Sequence, residues 1–282
     1  DWRAMINRCE ATERSLEHAS TPARTDEVAE VRDFLRWLRN KNFVFLGSVE
    51  YDFFDAKGKE ALSIVEGSEL GLFSLDNLDL KPQGLTGLPP EVQHFALLPH
   101  LLEISKANRK SVVHRPVHMD YISLKRFDEK GKAIGETRFL GLFTSIVYYQ
   151  SATDIPIIRR KINRVLARAN FDPMSHDGKA LKAILEFSPR DELFQMTEDE
   201  LFGYAMGVLA LEAHPDVHLF LRRDLFERFI SCMVFIPRDR FNTSLREQIQ
   251  GVLEATMKGT VTAFYTQMTD SPLARAHLIV KT

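Results

Sequence analysis

The chain has 282 residues, a length that suggests about two domains. Hydrophobic residues make up 44% and charged residues 27%, an ordinary soluble globular composition with enough apolar material for real cores. Its 37 basic and 39 acidic residues nearly cancel, at a formal charge of −2, so no global field points to nucleic acid or an anionic membrane.

Cys9 and Cys232 lie far apart with no C-x-x-C, which fits a reducing compartment and excludes a disulfide scaffold or a thiolate zinc site. There is no signal peptide and no apolar run near the roughly 18 residues of a membrane helix. A cytoplasmic location without membrane contact is therefore expected. The chain opens at Asp1 without Met and closes on the strand-like run His277–Lys281, which reads as a piece of a longer polypeptide.

Asp1–Ala19 reads as a sparsely apolar helix, broken by Thr21, Pro22 and Ala23. A second helix is expected from about Glu27 to Asn40, capped by Asp26, with Val28, Val31, Phe34, Leu35 and Leu38 on one stripe and Trp37 at its edge. At Phe43 the period turns strand-like. Phe43–Leu46 and Val49–Phe54 read as one strand bulged near Gly47, and Asp55-Ala56-Lys57-Gly58 as a hairpin turn into Ala61–Val65. Glu66–Pro99 reads as a loop with a short helix near Glu91–Phe95. Strands are expected at Leu101–Ser105, at Val117–Phe127 and, after the turn Asp128–Gly131, at Ile134–Tyr149. Such a mostly antiparallel sheet behind a helix resembles a PAS or GAF type of module.

Asp154–Ala169 is amphipathic, with Ile157, Ile158, Ile162, Val165 and Leu166 opposite Arg159, Arg160, Lys161, Arg164 and Arg168. Ser175–Phe202 then packs three helix starts together. Ser175 can cap a helix with Leu181, Ile184 and Leu185 inside, Ser188-Pro189 restarts a short turn, and Thr197 with Glu200 forms a capping box ahead of Leu201, Tyr204, Ala205, Val208 and Leu209. Asp-Glu-Leu-Phe occurs twice there, at Asp191–Phe194 and Asp199–Phe202, each copy placing carboxylates in a first turn where the helix dipole favours them. The whole stretch suits a compact joint that docks two sheet domains.

Beyond Pro215 the order is β-β-α-β-β: Val217–Arg223, Phe229–Ile236, a helix over Thr243–Lys258, Val261–Met268 and Ala276–Lys281. A closing helix, expected just beyond Thr282, would make this a circular permutation of the β-α-β-β-α-β sandwich. The fold class is α+β: two antiparallel-sheet modules, the first PAS- or GAF-like and the second a ferredoxin-type sandwich, joined by a helical region. The expected divisions are an N-terminal helix from a preceding linker (1–24), the first module (25–150), a helical motif (151–214) and the second module (215–282).

Strong chemical motifs are absent. No two glycines are separated by one residue, so G-x-G-x-x-G cannot occur, and there is no P-loop, H-E-x-x-H, G-x-S-x-G or EF-hand loop. Neither a catalytic, a cofactor-binding nor a metal residue is assigned. His114, His118 and Asp120 could be metal ligands, although Pro116 and the extended context favour a polar lead into a strand. The face of Arg160, Arg164 and Arg168 reads as solvated, with docking of an anionic partner or pairing with Asp191 or Glu192 as alternatives. Gly203 and Gly207, each costing about 1 kcal/mol inside a helix, suggest tight helix–helix packing.

Several stretches in register carry a resemblance. Phe43-Val-Phe-Leu-Gly, Asn108-Arg-Lys-Ser-Val-Val-His-Arg-Pro, Arg138-Phe-Leu-Gly-Leu-Phe-Thr-Ser, Asp154-Ile-Pro-Ile-Ile-Arg-Arg-Lys, Phe171-Asp-Pro-Met-Ser-His-Asp-Gly-Lys, Pro189-Arg-Asp-Glu-Leu-Phe-Gln and Phe235-Ile-Pro-Arg-Asp-Arg-Phe-Asn-Thr are similar to the large bacterial NAD-specific glutamate dehydrogenases. The similarity runs from about Val28 to Thr282.

The resemblance implies the long N-terminal segment that precedes the catalytic domain in that family: non-catalytic, regulatory and oligomer-forming, built of ACT-like, PAS-like and helical parts, with the first module PAS- or ACT-like and the second ACT-like. The parent would convert L-glutamate, NAD and water to 2-oxoglutarate, ammonia and NADH, with NAD bound outside this segment. Implied partners are the catalytic domain of the same chain, other subunits and an amino-acid effector. A stand-alone amino-acid sensor is the alternative. ACT domains take ligands at a glycine-bearing strand–helix loop; the corresponding loop here, Pro237-Arg-Asp-Arg-Phe-Asn-Thr, has no glycine. Arg238, Asp239, Asn242 and Thr243 of that loop, with His176 and Lys179, are the expected effector or interface residues.

Overall fold

The change of period at Phe43 marks the start of the first sheet in the computed structural model, which describes residues 1–56, 59–75, 100–224, 228–268 and 271–282. The chain divides into two units, Asp1–Arg160 and Lys161–Thr282.

In the first unit, α1 (Trp2–Ser15) and α2 (Thr25–Trp37) bury Met5, Cys9, Val31, Phe34 and Leu35. Both helices differ from expectation at their ends. α1 stops at Ser15, and α2 begins after Arg24, so Asp26 lies in the first turn and is not the cap. There it can still complement the helix dipole. A widened turn, Leu38–Asn42, closes α2 with Lys41 at φ 62°.

The sheet follows as β1 (Phe43–Ala56), β2 (Lys59–Ile64), β3 (Leu70–Gly71), β4 (Leu102–Lys110), β5 (His118–Phe127) and β6 (Ala133–Phe143). It is antiparallel, in the order β2-β1-β6-β5-β4, with β3 on β1. The expected bulge falls between Phe45 and Gly47. It is where β3 meets β1: a Cβ at Gly71, whose φ is +61°, would sit 2.3 Å from the Leu46 carbonyl oxygen, and one at Gly47 would strike the Phe73 ring at 2.9 Å. Only glycine allows that approach without strain.

One face of the sheet stacks Phe43, Phe45, Phe139 and Phe143 edge to face at 5.1–5.6 Å. Trp37 of α2 lies 6.1 Å from Phe143. The other face holds Val49, Tyr51, Phe73, Ala107, Met119, Leu140 and Leu142. The strand expected to reach Tyr149 ends at Phe143, and Ser145–Tyr149 is a short helix, α3. Only Val147 of this apolar run is buried, while Tyr149 is 90% exposed, as a one-turn helix and not a strand would place them. The turn residues Lys57 and Gly58 and the expected helix Glu91–Phe95 lie outside the described residues.

The boundary between units falls inside α4 (Ile158–Ala169), which starts later than expected because Ile157 adopts φ 71°. The second unit continues with α5 (His176–Glu186), α6 (Arg190–Gln195), α7 (Glu198–Ala213), β7 (His218–Arg223), β8 (Ile230–Pro237), α8 (Thr243–Met257), β9 (Thr260–Met268) and β10 (Leu273–Lys281). Ser175 caps α5 by accepting from the Gly178 amide at 3.0 Å. The capping box is present, with Thr197 N–H donating to Glu200 at 2.8 Å and Glu200 N–H to Thr197 at 3.2 Å. Ser188 does not cap; its hydroxyl donates back to the Ile184 carbonyl at 2.7 Å, and Pro189 holds the cap position of α6.

The second sheet is antiparallel in the order β7-β8-β10-β9, that of the permuted ferredoxin-type sandwich. Strand alternation divides its faces. Cys232, Val234, Ile236, Ala276, Leu278 and Val280 meet Leu253 of α8. On the opposite face Tyr204 of α7 packs on Phe220 and Phe235 at 5.3 and 6.1 Å. The Ser175–Phe202 stretch is thus built into a helical layer on this sheet. A Cβ at Gly207 would lie 2.7 Å from the Phe220 ring, whereas one at Gly203 would meet nothing within 4 Å. The expected helix–helix contact is therefore a helix–strand contact made by one glycine of the pair. Each unit encloses one thiol, Cys9 and Cys232, which burial pushes up to about 12.

Candidate functional site

The six expected effector or interface residues fall on two separate elements. Arg238 and Asp239 sit exposed in a tight turn after β8, and Thr243 is exposed at the start of α8. Asn242 is committed to capping α8, accepting from Leu245 N–H at 2.9 Å. His176 and Lys179 are exposed on the first turn of α5, with His176 Nδ1 3.6 Å from Asp177.

The histidine pair does not converge. His114 is exposed at φ 62°, His118 Nδ1 contacts the Ala107 carbonyl at 3.0 Å, and Asp120 pairs with Lys106 at 2.6 Å. Among the described residues no group of three His, Cys, Asp or Glu could hold a metal ion.

The basic face of α4 is engaged in ion pairs, which corrects the solvated reading for Arg160 and Arg164 and leaves it standing for Arg168, at 53% side-chain exposure. Arg159 binds Glu30 and Asp33 at 2.7–3.0 Å, and Arg160 reaches Asp26 at 3.3 Å. Arg164 pairs with Glu198 at 2.6 Å and Arg168 with Asp199 at 2.5 Å. Lys161 donates to the carbonyls of Leu193, Phe194 and Met196 at 3.1, 2.7 and 2.6 Å, satisfying the end of α6. Glu192, offered as an alternative partner of this face, pairs instead with Arg222 and Ser231.

Glu192 is the third residue of α6, where a glutamate ordinarily folds back to the cap residue's N–H. The cap here is Pro189, which has no N–H. The carboxylate points instead into the sheet, where the register sets Arg222 directly opposite Ser231 and His277 comes from the neighbouring strand. Arg222 donates to both carboxylate oxygens, Nε at 2.7 Å and Nη2 at 2.9 Å, and to Gln195 at 3.2 Å. The Ser231 hydroxyl lies 2.9 Å from Glu192 Oε1 and 2.8 Å from His277 Nε2. All four residues are buried. Burial alone would raise the Glu192 carboxyl, but hydrogen bonds and charge from His277 and Arg222 hold it well below the ordinary range.

Ser231 and His277 stand at nucleophile–base distance, yet the arrangement does not suit hydrolysis. Glu192 lies 3.5 Å from the same imidazole nitrogen that contacts Ser231, where an orienting carboxylate would take the other, and Ser231 is 1% exposed. This centre fastens a helix to three strands.

The first unit has a counterpart confined to its sheet. Lys125 Nζ donates to Glu136 at 2.7 Å, and Arg138 binds the same carboxylate while its guanidinium lies 4.9 and 5.2 Å from the Tyr51 and Tyr121 rings. Against the cost of burial, Arg138 and Lys125 bring the Glu136 carboxyl down to about 2. Sequence reasoning missed both centres. Their only trace is charge at inward strand positions: Arg222 falls two residues after Phe220, and Lys125 two after Ser123.

Comparisons with known proteins agree with this architecture. Residues 155–214 match a family model described as glutamate dehydrogenase, helical motif 1, and residues 218–282 match the glutamate dehydrogenase ACT2 domain. The NAD-specific glutamate dehydrogenase of Halomonas elongata is 41% identical over 100% of this chain and 18% of its own length. Those of Pseudomonas aeruginosa and Mycobacterium tuberculosis are 38% and 30% identical, over 91% and 93% of the chain and 16% and 15% of their own lengths. A periplasmic sensory domain of the Campylobacter jejuni chemoreceptor Tlp1 covers 99% of this chain and 88% of its own, but at TM-score 0.24 and 11% identity it supports no inference. The chain spans less than a fifth of the length of these relatives, and within that span it belongs to the NAD-specific glutamate dehydrogenase family.

Proposed function

We propose that this chain is a non-catalytic regulatory and assembly segment of an NAD-dependent glutamate dehydrogenase. The whole enzyme would oxidise L-glutamate with NAD and water to 2-oxoglutarate, ammonia and NADH in the cytoplasm. The observation that carries the reading is full-length similarity to under a fifth of those enzymes, over a helical motif and an ACT2 domain. Two further features support it. The sequence has no glycine fingerprint for a dinucleotide, and the best-formed polar centres are consumed by internal pairing. The first sheet, a hairpin beside a three-stranded meander, supports a PAS-like first module.

Partners would be the catalytic domain of the same polypeptide and other subunits, with an amino acid as effector. Arg238, Asp239, Thr243, His176 and Lys179 are exposed and are the proposed contact residues. The test is turnover and assembly. The 282-residue chain incubated with glutamate and NAD should form no NADH, whereas measurable NADH would refute the reading. Deleting the segment from a full-length relative should change its subunit assembly or its response to amino acids; an unchanged enzyme would refute it too.

A further inference from the structure

We infer that the second unit holds a small-molecule site away from the β8–α8 loop, a half-open cleft that takes a carboxylate with a branched or aromatic apolar body. The cleft encloses about 280 Å³ between α5, α7 and the strands β8, β9 and β10. Its apolar lining comes from Ile184, Val208, Phe235 and Leu273, each 8% exposed or less. Ligand sites share this pattern of an apolar lining with a few convergent polar groups, at volumes from about 300 Å³ upward. This one suits a ligand of about the size of isocaproate.

The polar groups define the class of ligand. Arg275 spends Nη2 on the Phe187 carbonyl at 3.2 Å and on Gln267, and its Nε and Nη1 make no hydrogen bond among the described residues. Tyr204 is 4% exposed and lines the cleft, and its hydroxyl likewise makes none. Arg275 thus leaves two N–H donors open at the wall, and a guanidinium fork matches the two oxygens of a carboxylate. Glu212, also at the wall and held by Ser271 at 3.0 Å, repels a second negative charge, so a phosphate dianion fits less well. The inference does not depend on the regulatory reading, because it concerns binding to this chain itself.

The experiment is a titration of the 282-residue chain with isocaproate, followed by calorimetry or by shifts of the cleft's amide resonances. Saturable one-site binding is expected. The uncharged isostere isocaproamide should bind roughly tenfold or more weakly, and Arg275→Gln should cost a similar factor, as for a charge-assisted hydrogen bond. Val208→Trp should fill the cleft and abolish binding, while Arg238→Ala in the loop should leave it unchanged. Arg275 is partly exposed, so its variant decides the matter if Val208→Trp fails to fold. Absence of saturation, equal binding of the amide, or undiminished binding to Arg275→Gln would overturn the site.

Discussion

The tetrapeptide Asp-Glu-Leu-Phe begins two consecutive helices at the same positions, Asp second and Glu third, and its two glutamates meet opposite fates. Glu200 is exposed and closes a capping box with Thr197. Glu192 is 2% exposed and binds Arg222, Ser231 and the neighbourhood of His277. The residue at the cap separates them. Thr197 offers an N–H and a hydroxyl, so Glu200 is satisfied locally, whereas Pro189 offers neither. A carboxylate denied its local partner must stay in water or find buried donors, and the sheet supplies them. The same four letters thus encode a helix start in one place and an interlayer fastening in the other.

The largest expected effect tests that fastening. Glu192→Ala strands Arg222 in a buried site and should remove about 3–5 kcal/mol of unfolding free energy in urea titrations of the second unit. If Glu200→Ala cost as much, the comparison would collapse.

Acid should act next most strongly. The Glu136 carboxyl is lowered from 4.5 to about 2 on folding, so its contribution is complete above pH 4.5 and is lost as pH falls toward 2. The loss should be of the order of 3 kcal/mol, and Glu136→Gln should flatten that limb of the stability curve for the first unit. Glu192, also depressed, predicts the same sign in the second unit; acid that stabilised a unit would contradict the assignment made for it.

Thr197→Ala should cost about 1 kcal/mol by thermal unfolding, the worth of a cap. Smallest is Asp199→Ala. Its side chain is 88% exposed, so its pair with Arg168 should be worth under about 1 kcal/mol, and a larger loss would mean that the second copy also fastens layers.

Much of this arrangement was legible in the sequence. Period changes located the strands, Ser175 and the Thr197–Glu200 box located two helix starts, and the β-β-α-β-β order anticipated the second sheet. What failed shares one cause: local patterns do not reveal distant partners. Arg160 and Arg164 looked solvated because their partners are distant in sequence: Asp26 lies 134 residues before Arg160, and Glu198 lies 34 residues after Arg164. Ile146, Tyr148 and Tyr149 looked like strand because apolar composition does not say that a sheet has already ended at Phe143. Glu192 was visible as a first-turn carboxylate, but its role depends on Arg222 and His277, which the fold brings in from strands 30 and 85 residues away.

The two enclosed thiols make the units separately observable. With both held near 12, neither Cys9 nor Cys232 is a thiolate at neutral pH, so neither reacts with a disulfide reagent while its unit is closed. Labelling then proceeds only through opening, and its rate measures how often each half of the molecule breathes. Replacing one cysteine by alanine isolates the other as a witness. The chain therefore carries two internal clocks, one set by packing between α1 and α2 and the other by the sheet under α8.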